Sequence, residues 1–559
     1  MRKLLPVAAL LMLAAITGGA VVLYQRYEQA DQENEKRMML TGENEGSGKY
    51  DKQYMLEEMY KQWEQMMRDP ATGKVPRDKL FAAWQYTKMM QEKQSHAPGV
   101  SGLVWVNRGP TNVGGRTRTI MISPGDATGN TGFAGSVGGG LWKSTNLKST
   151  TPSWQPVNDF LATLSISSLT YDPVNTNTYY AGTGEGFGNS DAASGMGIFK
   201  SADAGSTWAL LPATMTNDFS TVSKVIVTSL GHVYAATNTG VFRSKDQGAS
   251  WEKVLVGHFG DIEVTTAGTF FASGFNGNNN LSKSTTGDLG SWTNLCTASV
   301  GLPSTGISRI ETAVAPSDAN QVYTAFFMDT TVIGTGVTKK MAIYSSTNNG
   351  VSFSRVGRPK DIDGGITPYD YTNTQGWYDL ILKVDPTNSK AVYTGGVNLF
   401  KTTNGGTSWT QISHWYGGFN KQYVHADQHG IEFEGTNGAV AYFTNDGGIF
   451  QTKNGSVAIP VITEINTSYT VTQFYATAGH PDAISNYFLA GAQDNGTQKF
   501  TLPGLAATVD ASGGDGAYCN IDEADPTYQF TQYVYNNYYR SNNGGESFDD
   551  AVTVPSTIQ

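Results

Sequence analysis

The chain has 559 residues with 48 acidic and 38 basic side chains, giving a formal charge of −10 with no basic stripe. Neutralising phosphates requires clustered Lys and Arg, so nucleic acid is excluded as a partner. Only two cysteines occur, Cys296 and Cys519, so no disulfide framework holds the fold and both are expected to be small core residues. No Walker, dinucleotide or zinc-finger spacing appears, and neither a cofactor nor a metal is expected.

At the N-terminus, Met1-Arg2-Lys3 and the apolar run from Leu4 to Leu23 form an export signal. Gly18 and Ala20 are small enough for cleavage after Ala20. A run of about twenty apolar residues is also long enough to stay as a membrane anchor, with cleavage the preferred outcome. Residues 1–24 are therefore a signal peptide or an anchor, and either outcome puts the protein outside the cell or in the envelope. Residues 25–102 are charged, Met-rich and poor in Gly. Met55, Met59, Trp63 and Met66 or Met67 share a helical stripe, and Asp69-Pro70-Ala71-Thr72-Gly73 breaks it. A second helix from Pro76 to about Lys93 would turn Leu80, Trp84 and Met89 toward the first. The segment reads as a helical hairpin and linker, with a Met-lined binding site as the rival reading.

From residue 103 onward the chain is written in short strands and turns. Its clearest unit is Leu399-Phe400-Lys401-Thr402-Thr403-Asn404-Gly405-Gly406-Thr407-Ser408-Trp409. Ile198 to Trp208 and Val241 to Trp251 are close copies; Ile343 to Phe353 and Tyr538 to Phe548 keep the frame with Phe for Trp. A Ser or Thr followed two residues later by Asp or Asn supplies oxygens to the turn amides. Recurrence at roughly 40–60 residues marks one repeated supersecondary unit, as in a β-propeller. Units are expected to begin near Arg116, Ser165, Thr221, Asp261, Arg309, Asp379, Asp427, Thr472 and Asp515. Nine such four-stranded blades exceed the usual four to eight of one ring. Either one large ring or two rings with the second incomplete is expected, and the chain reads as truncated at its C-terminus.

The cassette resembles the Asp-box, or BNR repeat, of sialidases, sortilin-type receptors and xyloglucan-cleaving glycosidases. The resemblance implies a propeller whose cassette turns lie away from the substrate face. It also implies a catalytic Asp in a first-blade Asp-x-Gly-Gly stretch, but Gly135-Ser136-Val137-Gly138-Gly139-Gly140 has Ser136 at that position. The Arg-Ile-Pro motif of sialidases is absent near Arg116-Thr117-Arg118. The pattern is also similar to bacterial surface proteins exported through type IX secretion.

In a propeller, loops from an outer strand to the next inner strand share one face with second-to-third-strand turns. Asp427, Asp446, Asp494 and Asp515 all fall on that face and are the candidate catalytic carboxylates. Glycoside hydrolysis by inversion needs two such groups about 6.5–9.5 Å apart. Glu185, Trp377, Asp379, Trp415, Tyr416, His425 and His429 are candidate ligand contacts, because rings stack on sugar faces while carboxylates bond hydroxyls. His425, Asp427 and His429 at a spacing of two would share a strand face; mutual hydrogen bonding is preferred there over a metal. The expected function is a secreted or cell-surface propeller binding a polysaccharide or surface protein, the alternative being an exported glycoside hydrolase.

Overall fold

The computed structural model describes residues 65, 68–73, 79–94, 106–187, 192–332, 336–368, 370–533, 537–548 and 550–553. The export signal and most of the first proposed helix fall outside these residues. Of the proposed hairpin, the second helix is present as Leu80–Gln94. Trp84 stands 5.7 Å from Phe81, and Met89 is exposed. Among the described residues no helix is long and apolar enough to cross a membrane.

Beyond residue 116 the described chain forms nine four-stranded antiparallel sheets, each built from consecutive strands. Their inner strands are Thr117–Ile122, Ile166–Tyr171, Val222–Val227, Phe259–Val264, Ile307–Ala315, Ile381–Val384, Gln428–Glu434, Phe474–Gly479 and Cys519–Ile521. In blades 1 to 7 each inner strand packs on the next, and that of blade 7 packs back on that of blade 1. The ring therefore closes at seven, which removes the reading of one large nine-bladed ring. Blades 8 and 9 pack on each other separately. Before blade 1, the backbone at Thr111 and the side chains of Arg108 and Asn112 bond to blade 8 at Ala506, Leu502 and Thr508.

Apolar clusters fill the gaps between neighbouring blades. At the closure, Ile120, Trp142 and Trp154 meet Tyr442, Ile449, Ile465 and Tyr469. Burying surface there does what a shared strand would otherwise do for a ring. The cassette turns are tied as their composition demands: Ser201 Oγ donates to Asp203 Oδ1 at 2.8 Å and accepts from the Gly205 amide at 2.9 Å. Gly205 has φ +80°, and a Cβ there would come within 2.4 Å of Phe133 in the preceding blade. The turn thus needs Gly for both its conformation and its packing. The cassette tryptophans Trp208, Trp251 and Trp409 are half-buried at cluster edges, short of the full burial that their recurrence suggests. Cys296 is buried and Cys519 half-buried, and both are free thiols.

One recurring irregularity aims side chains at the ring axis. In seven of the inner strands the register slips by one residue near the start. The residues left unpaired include Arg118 (between Thr117 and Thr119) and His429 (between Gln428 and Gly430). A β-bulge turns its extra residue out of the strand's normal alternation.

Candidate functional site

At the loop face, where blades 7 and 1 meet blade 8, charged side chains from distant parts of the chain converge. Arg118 donates to Glu185 Oε1 through Nε at 3.1 Å and Nη2 at 2.6 Å. Its Nη1 lies 2.7 Å from His429 Nδ1. A guanidinium only donates, so Nδ1 is the unprotonated nitrogen and the other, Nε2, carries the proton. That Nε2 donates to Asp446 Oδ1 at 2.6 Å. Burial, with Arg118 beside it, lowers the His429 imidazole to about 4, so it is neutral at physiological pH. Tyr378 donates its hydroxyl to Asp446 Oδ2 at 2.9 Å, and Arg116 Nε is 3.4 Å from Oδ1. Burial opposes ionisation of Asp446, but its neighbours His429, Arg116 and Arg118 outweigh it and hold the carboxyl below the usual range.

Three aspartates meet beside this network. One oxygen from each of Asp427, Asp446 and Asp494 lies within 4.8 Å of the other two. Asp515 joins them through its Oδ1, which accepts the Asp494 amide at 3.0 Å. All four sequence candidates therefore occupy one place, although Asp427 and Asp446 are buried while Asp494 and Asp515 are partly open. Asp427 and Asp494 both hold positive φ, 63° and 60°, a backbone state that non-Gly residues adopt at a cost and that clusters at functional sites. Over them lies a small cleft lined by Gly115, Arg116, Asp446, Gln473, Tyr475, Gln493, Asp494 and Asn495.

Several candidates for direct ligand contact do not reach it. Glu185 has a side chain with no exposed surface, spent on Arg118 and on Arg116 at 3.6 Å. His429 is equally enclosed and acts by holding Asp446. Asp379 has no exposed surface; burial, together with Asp427 and Asp370, raises its carboxyl well above the usual range. Trp377 packs on an interblade cluster and passes its carbonyl to Arg309. His425, Asp427 and His429 do not form one strand face, because Asp427 precedes the strand and His429 is its bulge. His425 Nε2 instead donates to the Asp494 carbonyl at 2.9 Å. Trp415 and Tyr416 are 42% and 51% exposed, on the blade 6-to-7 loop pinned by the Trp415 amide to Asn398. They remain available to a ligand.

Arg116, Gln473, Tyr475 and Asn495 line the site although no sequence pattern marks them as ligand contacts. The bulge offered the only signal, and it cannot be read from spacing. Tyr475 is the bulge residue of blade 8, donates to Gln493 and keeps 37% exposure at the cleft.

No protein family matches the chain, and no curated protein matches it. Solved structures do. The xyloglucanase of Xanthomonas campestris superposes with a TM-score of 0.57 at 14% identity, over 81% of this chain and 69% of that one. An ancestral GH74 enzyme gives 0.54 at 16% identity, over 80% of this chain and 61% of that one. The Niastella koreensis GH74 enzyme gives 0.54 at 17% identity, with coverage of 80% and 68%. This chain thus spans under two thirds of the ancestral enzyme. At these identities the likeness shows a shared propeller fold.

Proposed function

We propose that this protein is an exported propeller that recognises a polysaccharide in the cleft between its closed ring and blade 8. The observation that carries this reading is the cleft lining. Asp446 and Asp494 supply carboxylates, Gln473, Gln493 and Asn495 supply amides, Arg116 a guanidinium and Tyr475 an exposed ring. Carboxylates and amides placed around one ring match the alternating hydroxyls and flat face of a sugar. The exposed Trp415 and Tyr416 give a second stacking surface on the same loop face. The Asp-box kinship and export through the N-terminal signal belong to this proposal.

Hydrolysis is the second reading, favoured by one observation. Asp446 and Asp494 present oxygens no more than 4.8 Å apart, which is short of the inverting range of about 6.5–9.5 Å and leaves the closer, retaining arrangement as the one to test. The test is glycan-array binding together with product analysis on xyloglucan and other plant and host polysaccharides. Retention of a glycan without products supports recognition alone. Products lost in Asp494→Asn, with binding kept, support hydrolysis. Binding to no glycan, or binding unchanged in both Asp494→Asn and Tyr475→Ala, would overturn the cleft assignment.

A further inference from the structure

We propose that His425 couples the closed ring to blade 8, setting the separation of Asp446 and Asp494 and with it the affinity of the cleft. Its bearing on affinity rests on the glycan reading above; the coupling itself stands apart from that reading. The two carboxylates arrive on different parts of the fold. Asp446 lies in the turn between the second and third strands of blade 7, and Asp494 in the corresponding turn of blade 8. Their oxygens nevertheless stand no more than 4.8 Å apart. His425 lies outside the cleft lining and touches both turns.

On the ring side, the imidazole lies against Gly447, the residue after Asp446. A Cβ at Gly447 would come within 2.3 Å of His425 Cγ and Cδ2 and 2.5 Å of its Cβ. Contact begins at the root of the side chain, so turning the imidazole alone does not clear it. Gly447 is itself pinned: its amide donates to Asn445 Oδ1 at 3.0 Å, and its carbonyl accepts from Asn466 Nδ2 at 2.7 Å. His425 therefore rests on a wall whose backbone is held on both sides.

On the blade 8 side, His425 Nε2 donates to the Asp494 carbonyl at 2.9 Å. Asp494 holds φ 60°, a state that persists in a non-Gly residue only where its surroundings enforce it. His425 holds this residue at its carbonyl, while Asp515 Oδ1 holds its amide at 3.0 Å. Asn495 Nδ2 joins the same two turns by donating to the Asp446 carbonyl at 3.0 Å, but Asn495 lines the cleft and faces the ligand as well. His425 does not, and is left to hold the turns at a set distance. A ligand that bridges Asp446 and Asp494 draws on the contact that docks blade 8, so each stabilises the other.

The test compares the full chain with its His425→Phe, His425→Gln and Gly447→Ala variants, by hydrogen–deuterium exchange and by glycan-array binding. Phe keeps a ring without the donor, and Gln keeps a donor near the position of Nε2. In His425→Phe and Gly447→Ala the amides of residues 493–498 should exchange about tenfold faster, as expected for one lost hydrogen bond. In His425→Gln they should stay near wild type. Residues 441–445 should remain protected throughout, which shows the ring still folded. Gly447→Ala should add nothing to a chain already carrying His425→Ala, because its Cβ then meets no imidazole. Affinity for a retained glycan should fall about tenfold in His425→Phe and be rescued in His425→Gln. Unchanged exchange in His425→Phe would overturn the proposal. So would a Gln variant no better than Phe, or a Gly447→Ala effect that persists beside His425→Ala. Glycan binding lost in Tyr475→Ala but unchanged in His425→Phe would keep the cleft and remove His425 from its control. Absence of any glycan binding would sink the cleft reading alone, and the exchange comparison would still decide the coupling.

Discussion

Arg118 shows how one side chain gathers a site. It leaves the first strand at a bulge, takes Glu185 from blade 2, His429 from blade 7 and the ring of Tyr378 at 4.6 Å. Removing one partner of such a buried pair strands the other charge. Glu185→Gln and Arg118→Met are each expected to cost about 3–5 kcal/mol in denaturant unfolding; a loss below about 1 kcal/mol in both would show that the pair is solvated. A second residue sets an acid response. Burial lowers His258 to about 4 from its free value of 6.5, beside Phe275 at 4.9 Å. As pH falls below 6.5 the unfolded chain binds a proton that the folded chain does not accept until about pH 4. The stability that neutral His258 contributes above pH 6.5 is therefore lost across that window, at up to about 1.4 kcal/mol per pH unit. His258→Phe should flatten the fall in melting temperature between pH 6.5 and 4 relative to wild type. An unchanged slope would remove His258 as its source.

The repeated element is a turn in which hydroxyl and carboxyl or amide exchange bonds, and its energetics follow from which atoms are enclosed. Ser201 is buried and satisfies the Gly205 amide, so Ser201→Ala leaves a buried N–H unpaired and should cost about 1–3 kcal/mol. Asp203→Asn should change little, since Asn404 makes the equivalent bonds to Thr402 and Ser408 in blade 6. An equal loss in both variants would contradict this division. These turns were legible in the sequence because their spacing and composition answer to local hydrogen bonding. For the same reason eight of the nine unit starts fall within two residues of the observed inner strands, as at Arg116 against Thr117 and Asp261 against Phe259, while Asp515 lies four residues before Cys519. A recurring Trp reports a repeated position but not its depth in the packing, and Trp208, Trp251 and Trp409 are only half-buried. The bulges escaped notice because a one-residue slip leaves no mark in alternation, and through them Arg118, His429 and Tyr475 enter the site. The convergence of Asp427, Asp446, Asp494 and Asp515 followed from strand direction alone, whereas the arginines and Tyr378 that govern their charge depend on side-chain reach across blades.

At the scale of the molecule the decisive event is that blade 7 meets blade 1. The seam is apolar, with Trp154 only 1% exposed, 5.4 Å from Tyr469 and donating its ring N–H to the Ile465 carbonyl at 2.8 Å. Tyr469 in turn reaches Thr117 at 3.2 Å, so the segment after blade 7 locks the first strand of the ring. Trp154→Ala is accordingly expected to cost about 3–5 kcal/mol, more than the same change at half-buried Trp208. The seam also defines the smallest piece that should fold. The apolar contacts of the closure lie between the inner strand of blade 1 and Val471, while blade 8 meets blade 9, the segment before blade 1 and, through hydrogen bonds at Asp494 and Asn495, blade 7. A chain ending after Gln473 should therefore keep a cooperative thermal transition and the β-sheet circular dichroism of a seven-bladed ring. It should lose the cleft, because Tyr475, Gln493, Asp494 and Asn495 go with blade 8. Loss of the transition on truncation, with Trp154 fluorescence shifting to that of a solvated indole, would mean that blade 8 and the closed ring form one folding unit. Persistence of the transition together with loss of glycan binding would place recognition at the junction of the two.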